Sequence, residues 1–139
     1  MPRPVSLRWP TIVLVIAGAY NLIWSGCMIL LPLESFAWSG MEKHDKPLHY
    51  PQLWQGLGML IGVFGLGYLL AATDPARHWG LVLIGLVSKV LGGLGSVSAV
   101  VTGQGPPWTI LLTLVNDLAW WLPFALILRH AYRTRRELS

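Results

Sequence analysis

The chain has 139 residues, 54% of them hydrophobic and 12% charged, with a net charge of +4 and a pI near 9.6. A soluble domain of ordinary composition carries about 25% charged residues, so this composition excludes an ordinary globular enzyme and points to the lipid bilayer. A single cysteine, Cys27, excludes intrachain disulfides, CxxC redox chemistry and thiolate metal clusters.

Four apolar stretches follow one another: Thr11 to Leu33, Gln52 to Thr73, Trp79 to Val101 and Trp108 to Leu128. A helix rises about 1.5 Å per residue and needs roughly 20 residues to cross about 30 Å of hydrocarbon. The expected fold is therefore all-α: one four-helix transmembrane domain over residues 1–139. Arg3, Arg8 and the Ala17-Gly18-Ala19 triplet imitate a signal peptide, but the apolar run continues through Asn21 to Leu33, so the first helix is expected to be retained.

Charge sets the expected orientation. With four helices, one side carries Arg3, Arg8, Arg77, Arg129, Arg133, Arg135 and Arg136, and the other only Lys43 and Lys46. The positive-inside rule then makes both termini cytoplasmic. Trp9, Trp79 and Tyr132 fall at the expected cytoplasmic ends, and Tyr50, Trp54 and Trp108 at the opposite ends, where rings with one polar atom anchor to the interface. The basic pI is then explained by orientation and anionic headgroups, with no nucleic-acid partner expected.

Inside the spans, Lys89 lies ten residues from Trp79 and Asp117 nine from Trp108. Counted from opposite interfaces, both reach about 14–15 Å depth, the same level. Asn21 and Asn116 arrive at similar depth. Lys89 shares a face with Gly85, Gly93 and Ser96, Asn21 with Ala17, Gly18 and Ser25, and Gln55 with Gly58, Gly62 and Gly65; small residues at such spacing allow close helix approach. Trp120 and Trp121 follow the Asn116-Asp117 pair by one turn, and Pro123 deprives the Ala119 carbonyl of its helical donor. The layer Lys89, Asp117, Asn116, Asn21, Gln55, Trp120 and Trp121 is the candidate ligand- or proton-binding site, because ionisable groups in a bilayer mark substrate and proton paths. The alternative is a purely structural Lys–Asp pair that fixes register, in an accessory subunit of a larger membrane complex. A homodimer is a further expectation for a transport pathway, since four helices make a thin bundle.

The connection between the first two spans holds Glu42, His44, Asp45 and His49, weak candidates for a metal; their spacing matches no compelling ligand signature. Asp74 is a candidate cap for the third helix. No cofactor is expected: no histidine falls within a predicted span for haem, and the glycines of Gly56 to Gly67 lack the strand and lysine of a phosphate loop. No nucleophile–base constellation appears, so catalysis is a minority reading.

The runs from Tyr50 to Met59, Asp74 to Trp79 and Asn116 to Phe124 resemble those of a group of small four-helix bacterial membrane proteins without established function, over most of the chain after the first loop. In size and helix count the chain also resembles the DoxX-like class. Some proteins similar to it bear an alkyl hydroperoxide reductase label; a peroxidatic cysteine needs an accessible electropositive setting, whereas Cys27 is predicted inside a span.

Overall fold

The computed structural model describes residues 8–41 and 47–137, and every regular element among them is helical. Helix α1 (Trp9–Leu30) is followed by a short α2 (Pro32–Trp38), α3 (Pro51–Thr73) and α4 (Trp79–Val101). The last span is composite: α5 (Thr109–Thr113), a π-helical segment (Leu114–Leu118) and α6 (Ala119–Glu137). Four of these units, Trp9–Leu30, Pro51–Thr73, Trp79–Val101 and Thr109–Thr134, are long and apolar enough to cross a membrane. Their outward faces carry exposed Ile16, Ile23, Leu60, Val63, Leu91 and Val115, the surface a protein presents to acyl chains rather than to water. The chain is a multi-pass α-helical membrane protein.

Proline sets several of the helix boundaries. Pro10 and Pro51 sit in the first turns of α1 and α3, where the missing N–H has no intrahelical partner to lose. The first span, expected to run unbroken to Leu33, instead stops at Leu30. Leu31 leaves the helical region (φ −129°, ψ 61°) because the Pro32 ring disfavours the α conformation in the residue before it. Pro32 then starts α2. The Asp74 carboxylate accepts the Arg77 backbone N–H at 3.1 Å, so it closes the turn rather than capping α4, whose N-cap, His78, makes no side-chain cap bond.

Pairing of α1 with α3 is antiparallel and close. The Thr11 hydroxyl donates to the Ala72 carbonyl at 3.1 Å, Asn21 Nδ2 to the Ile61 carbonyl at 3.4 Å, and Gln55 Nε2 to the Ile29 carbonyl at 2.9 Å. Between these bonds Gly18 faces Gly65 so tightly that a methyl at Gly18 would come within 2.9 Å of the Gly65 carbonyl oxygen. Lipid gives apolar side chains no reason to hide from it, so helices associate through such contacts and through interhelical hydrogen bonds.

A core of Leu14, Ala17, Tyr68, Ala71, Val82, Phe124 and Ile127 ties α1, α3, α4 and α6 together. The Tyr68 and Phe124 rings meet edge-on at 5.1 Å. At the end away from the termini, Trp54 Nε1 donates to Ser35 Oγ at 2.9 Å and its ring meets Phe36 edge-on at 5.3 Å, which docks α2 onto α3. There the Trp108 ring packs onto Gly40, whose φ of +71° and missing side chain both suit the contact.

The fourth span also departs from expectation. Its irregularity lies at Leu114–Leu118, upstream of Pro123, and α6 continues past Leu128 to Glu137. A proline ring clashes with the carbonyl four residues back, here Ala119, and the wider π turn ends immediately before that residue. His130, beyond the expected end of the span at Leu128, is thereby a helical residue.

Candidate functional site

Lys89 and Asp117 meet in the seam between α4 and the π-helical segment, 7% and 8% exposed respectively. The ammonium has two partners of unequal quality. Lys89 Nζ donates to the Asn116 backbone carbonyl at 2.6 Å and stands 3.8 Å from Asp117 Oδ1. A charge-assisted N–H···O bond is about 2.7–2.9 Å long, so the backbone carbonyl holds the ammonium and the carboxylate contact is about 1 Å slack. Asn116 Nδ2 approaches Asp117 Oδ1 at 3.5 Å, the outer limit of a hydrogen bond.

The π segment explains why a backbone oxygen is on offer. Pairing i with i+5 widens the turn and loosens the carbonyl ladder. Two consecutive carbonyls of this segment accept from side chains: Asn116 from Lys89, and Val115 from Trp120 Nε1 at 3.1 Å. The conformation that places Asp117 in the seam also supplies the cation's best acceptor.

Glycines on α4 make room for what faces them. Gly85 receives the Tyr68 ring, a methyl at Gly92 would meet Asp117 Oδ1 at 3.3 Å, and one at Gly93 would meet Trp121 Cζ2 at 3.0 Å. Among the described residues the buried Trp121 indole N–H has no hydrogen-bond partner. Such an orphaned donor is rare in a folded protein. Tyr20 and Tyr68 both lie within electrostatic reach of Asp117, and the Tyr20 ring stands 6.2 Å from that of Trp120. Neither tyrosine was a candidate from sequence. The available signal for Tyr68 was its place three residues after Gly65, continuing the Gly58, Gly62, Gly65 face into the core.

The expected polar layer therefore divides. Lys89, Asp117 and Asn116 come together, with Trp120 and Trp121 beside them. The Asn21 and Gln55 amides are instead bonded to α3 and α1 carbonyls, in the neighbouring seam. Two hollows open at the end of the bundle that carries the termini, away from Lys89. Of the weak metal candidates, Glu42, His44 and Asp45 lie outside the described residues and His49 is exposed. Among the described residues no three His, Cys, Asp or Glu side chains gather at one point.

Fold and seam together define a multi-pass helical membrane protein with a buried lysine–aspartate pair on a π-helical turn. Over 103 residues the chain is 27% identical to an uncharacterized BphX-like protein of Burkholderia cepacia, covering 72% of this chain and 74% of that one. An uncharacterized BphX-like protein of Paraburkholderia xenovorans (strain LB400) is similar to the same extent, 27% over 103 residues, 72% of this chain and 74% of its own length. No family model matches the chain, and no solved structure matches it. Neither relative's name carries an activity.

Proposed function

We propose that the chain acts in the bacterial inner membrane, with both termini cytoplasmic, as a small binding or transport protein whose Lys89–Asp117 pair takes up and releases a proton or a small polar group. The observation that carries this reading is the slack 3.8 Å contact between two buried, opposite charges on a π-helical turn. Ionisable groups held in a bilayer are costly and mark ion and proton paths, and π turns concentrate at functional sites. A proton is the smallest such cargo and needs no cavity beside the pair. Asp117 would hold the mobile proton, Lys89 would stabilise the carboxylate while remaining tethered to the Asn116 carbonyl, and Trp121 N–H would offer a donor to a transient acceptor such as water.

The test is proton flux into proteoliposomes loaded with a pH-sensitive dye, driven by an imposed potassium diffusion potential. Flux above that of empty liposomes, abolished in folded Asp117→Asn and Lys89→Ala variants, is expected. Flux equal to empty liposomes, or unchanged in both variants, sinks the reading.

The second reading is an accessory subunit in which the pair only fixes helix register. The favouring observation is the 2.6 Å bond from Lys89 to the Asn116 carbonyl, a contact that would lock α4 to the last span with no cargo involved. Native purification in mild detergent separates the two: a stoichiometric larger partner supports the accessory role.

A further inference from the structure

At the end of the bundle that carries both termini, α1 and α6 border an open hollow of about 250 Å³ lined by Trp9, Leu126, Arg129, His130 and Arg133. One water needs only about 10–15 Å³ by this measure, so the space admits a multi-atom group. We propose that this hollow binds a phosphate group, carried either by a phospholipid headgroup or by a free phosphate ester.

Four observations support this. First, Leu126, Arg129, His130 and Arg133 fall at i, i+3, i+4 and i+7 on α6, so one helical face delivers two guanidiniums and an imidazole to the same wall. Arginine is suited to phosphate because its planar fork donates two parallel hydrogen bonds. Second, among the described residues neither Arg129 nor Arg133 has a carboxylate within salt-bridge distance, and none of the acidic ones lines this hollow. Asp74 lines instead the neighbouring, smaller hollow of about 60 Å³, with which His130 is shared. Third, the helix dipole does not account for Arg129. It calls for positive charge in the last turn, which Arg136 already supplies, whereas Arg129 lies two turns before the helix ends at Glu137.

Fourth, the depth fits. Arg129 is 21 residues beyond Trp108, or about 30 Å along a helix, the thickness of the hydrocarbon core. The hollow thus opens at the level of lipid phosphates. Its lower wall is apolar and membrane-facing: Leu126 and Trp9 are both exposed, and the Trp9 ring leans toward His130 with centroids 6.3 Å apart. A group with a phosphate above and a glycerol or acyl stem below matches that polarity.

The experiment is native mass spectrometry of the full chain, delipidated in mild detergent and titrated with phosphatidylglycerol, with diacylglycerol of the same acyl chains, and with glycerol 3-phosphate. One phosphatidylglycerol per chain is expected, with diacylglycerol bound no better than detergent. At about 1 kcal/mol for each basic residue near a phosphate surface, Arg129→Gln and Arg133→Gln should each weaken binding about fivefold, and together roughly thirtyfold. Arg136→Gln, on the same helix outside the hollow, should change nothing. If the double variant loses its helical circular dichroism, either single variant carries the same test. Displacement of the lipid by glycerol 3-phosphate, with binding of its own, identifies a free ester as the source; binding of the lipid alone identifies a headgroup. Equal retention of phosphatidylglycerol and diacylglycerol by the unaltered protein, or full retention of phosphatidylglycerol by a folded Arg129/Arg133 variant, overturns the proposal.

Discussion

The seam between α1 and α3 and the seam between α4 and the last span solve one problem in opposite ways. In the first, three neutral polar side chains end on main-chain carbonyls across the interface: Thr11 on Ala72, Asn21 on Ile61, Gln55 on Ile29. Both helices stay regular and approach to glycine–backbone contact. In the second, the seam holds a charged pair, the backbone opens into a π turn, the ion pair is slack, and a buried indole N–H has no partner among the described residues. A seam built only to hold would resemble the first. The contrast is what sets the proposed role of the Lys89–Asp117 pair apart from simple helix packing.

The largest expected effect comes from breaking the charge balance. Lys89→Ala leaves Asp117 buried and uncompensated, which costs about 3–5 kcal/mol for a buried ion pair. Asp117→Ala should cost less, because the ammonium keeps its 2.6 Å bond to the Asn116 carbonyl. Unfolding by sodium dodecyl sulfate in mixed micelles measures both, and the Lys89→Ala/Asp117→Ala double variant should recover part of the Lys89→Ala loss. Equal losses for the two single variants would mean that the carboxylate, not the carbonyl, holds the lysine.

The neutral seam should fail differently. A side chain at Gly65 meets the Gly18 carbonyl oxygen at 3.0 Å, an atom fixed in a helix. Gly65→Val is therefore expected to cost about 1–3 kcal/mol by overpacking in the same titration, and to leave any proton flux per folded molecule intact. Loss of flux without loss of stability would erase the division of labour between the seams. Next in size, Gln55→Leu and Asn21→Leu each remove one interhelical hydrogen bond, worth on average about 0.6 kcal/mol in a membrane. The longer 3.4 Å bond of Asn21 should weigh less than the 2.9 Å bond of Gln55.

How much of this was legible follows from what each signal depends on. Hydropathy and length are local, so four spans could be read directly. Depth is a count along a regular helix, so Lys89 and Asp117 could be placed at one level from opposite ends. Direction around the helix axis is less secure: Asn21 shares that depth, yet its amide is bonded to α3. The π turn escaped because nothing in Leu114–Leu118 marks it except Pro123 nearby. The break before Pro32 was available from the proline alone, but the apolar run through Leu33 masked it. The site's best hydrogen bond uses a backbone oxygen, which no side-chain pattern reports.

The smallest expected change is the most discriminating for the charged seam. Trp121→Phe keeps an aromatic side chain and deletes the buried N–H that finds no acceptor among the described residues, together with part of the indole's contact at Gly93. An unpaired buried donor costs about 1–3 kcal/mol of desolvation, so removing it should leave stability unchanged within about 0.5 kcal/mol or raise it. The phenylalanine is smaller than the indole, and the lost contact offsets part of that gain. A measured loss above about 1 kcal/mol would mean that the N–H has an occupant in the working protein, water or cargo, and that the second seam is fully satisfied when loaded. Unchanged stability with reduced flux would instead place the N–H on the path itself, as a donor used only while the Lys89–Asp117 contact is open.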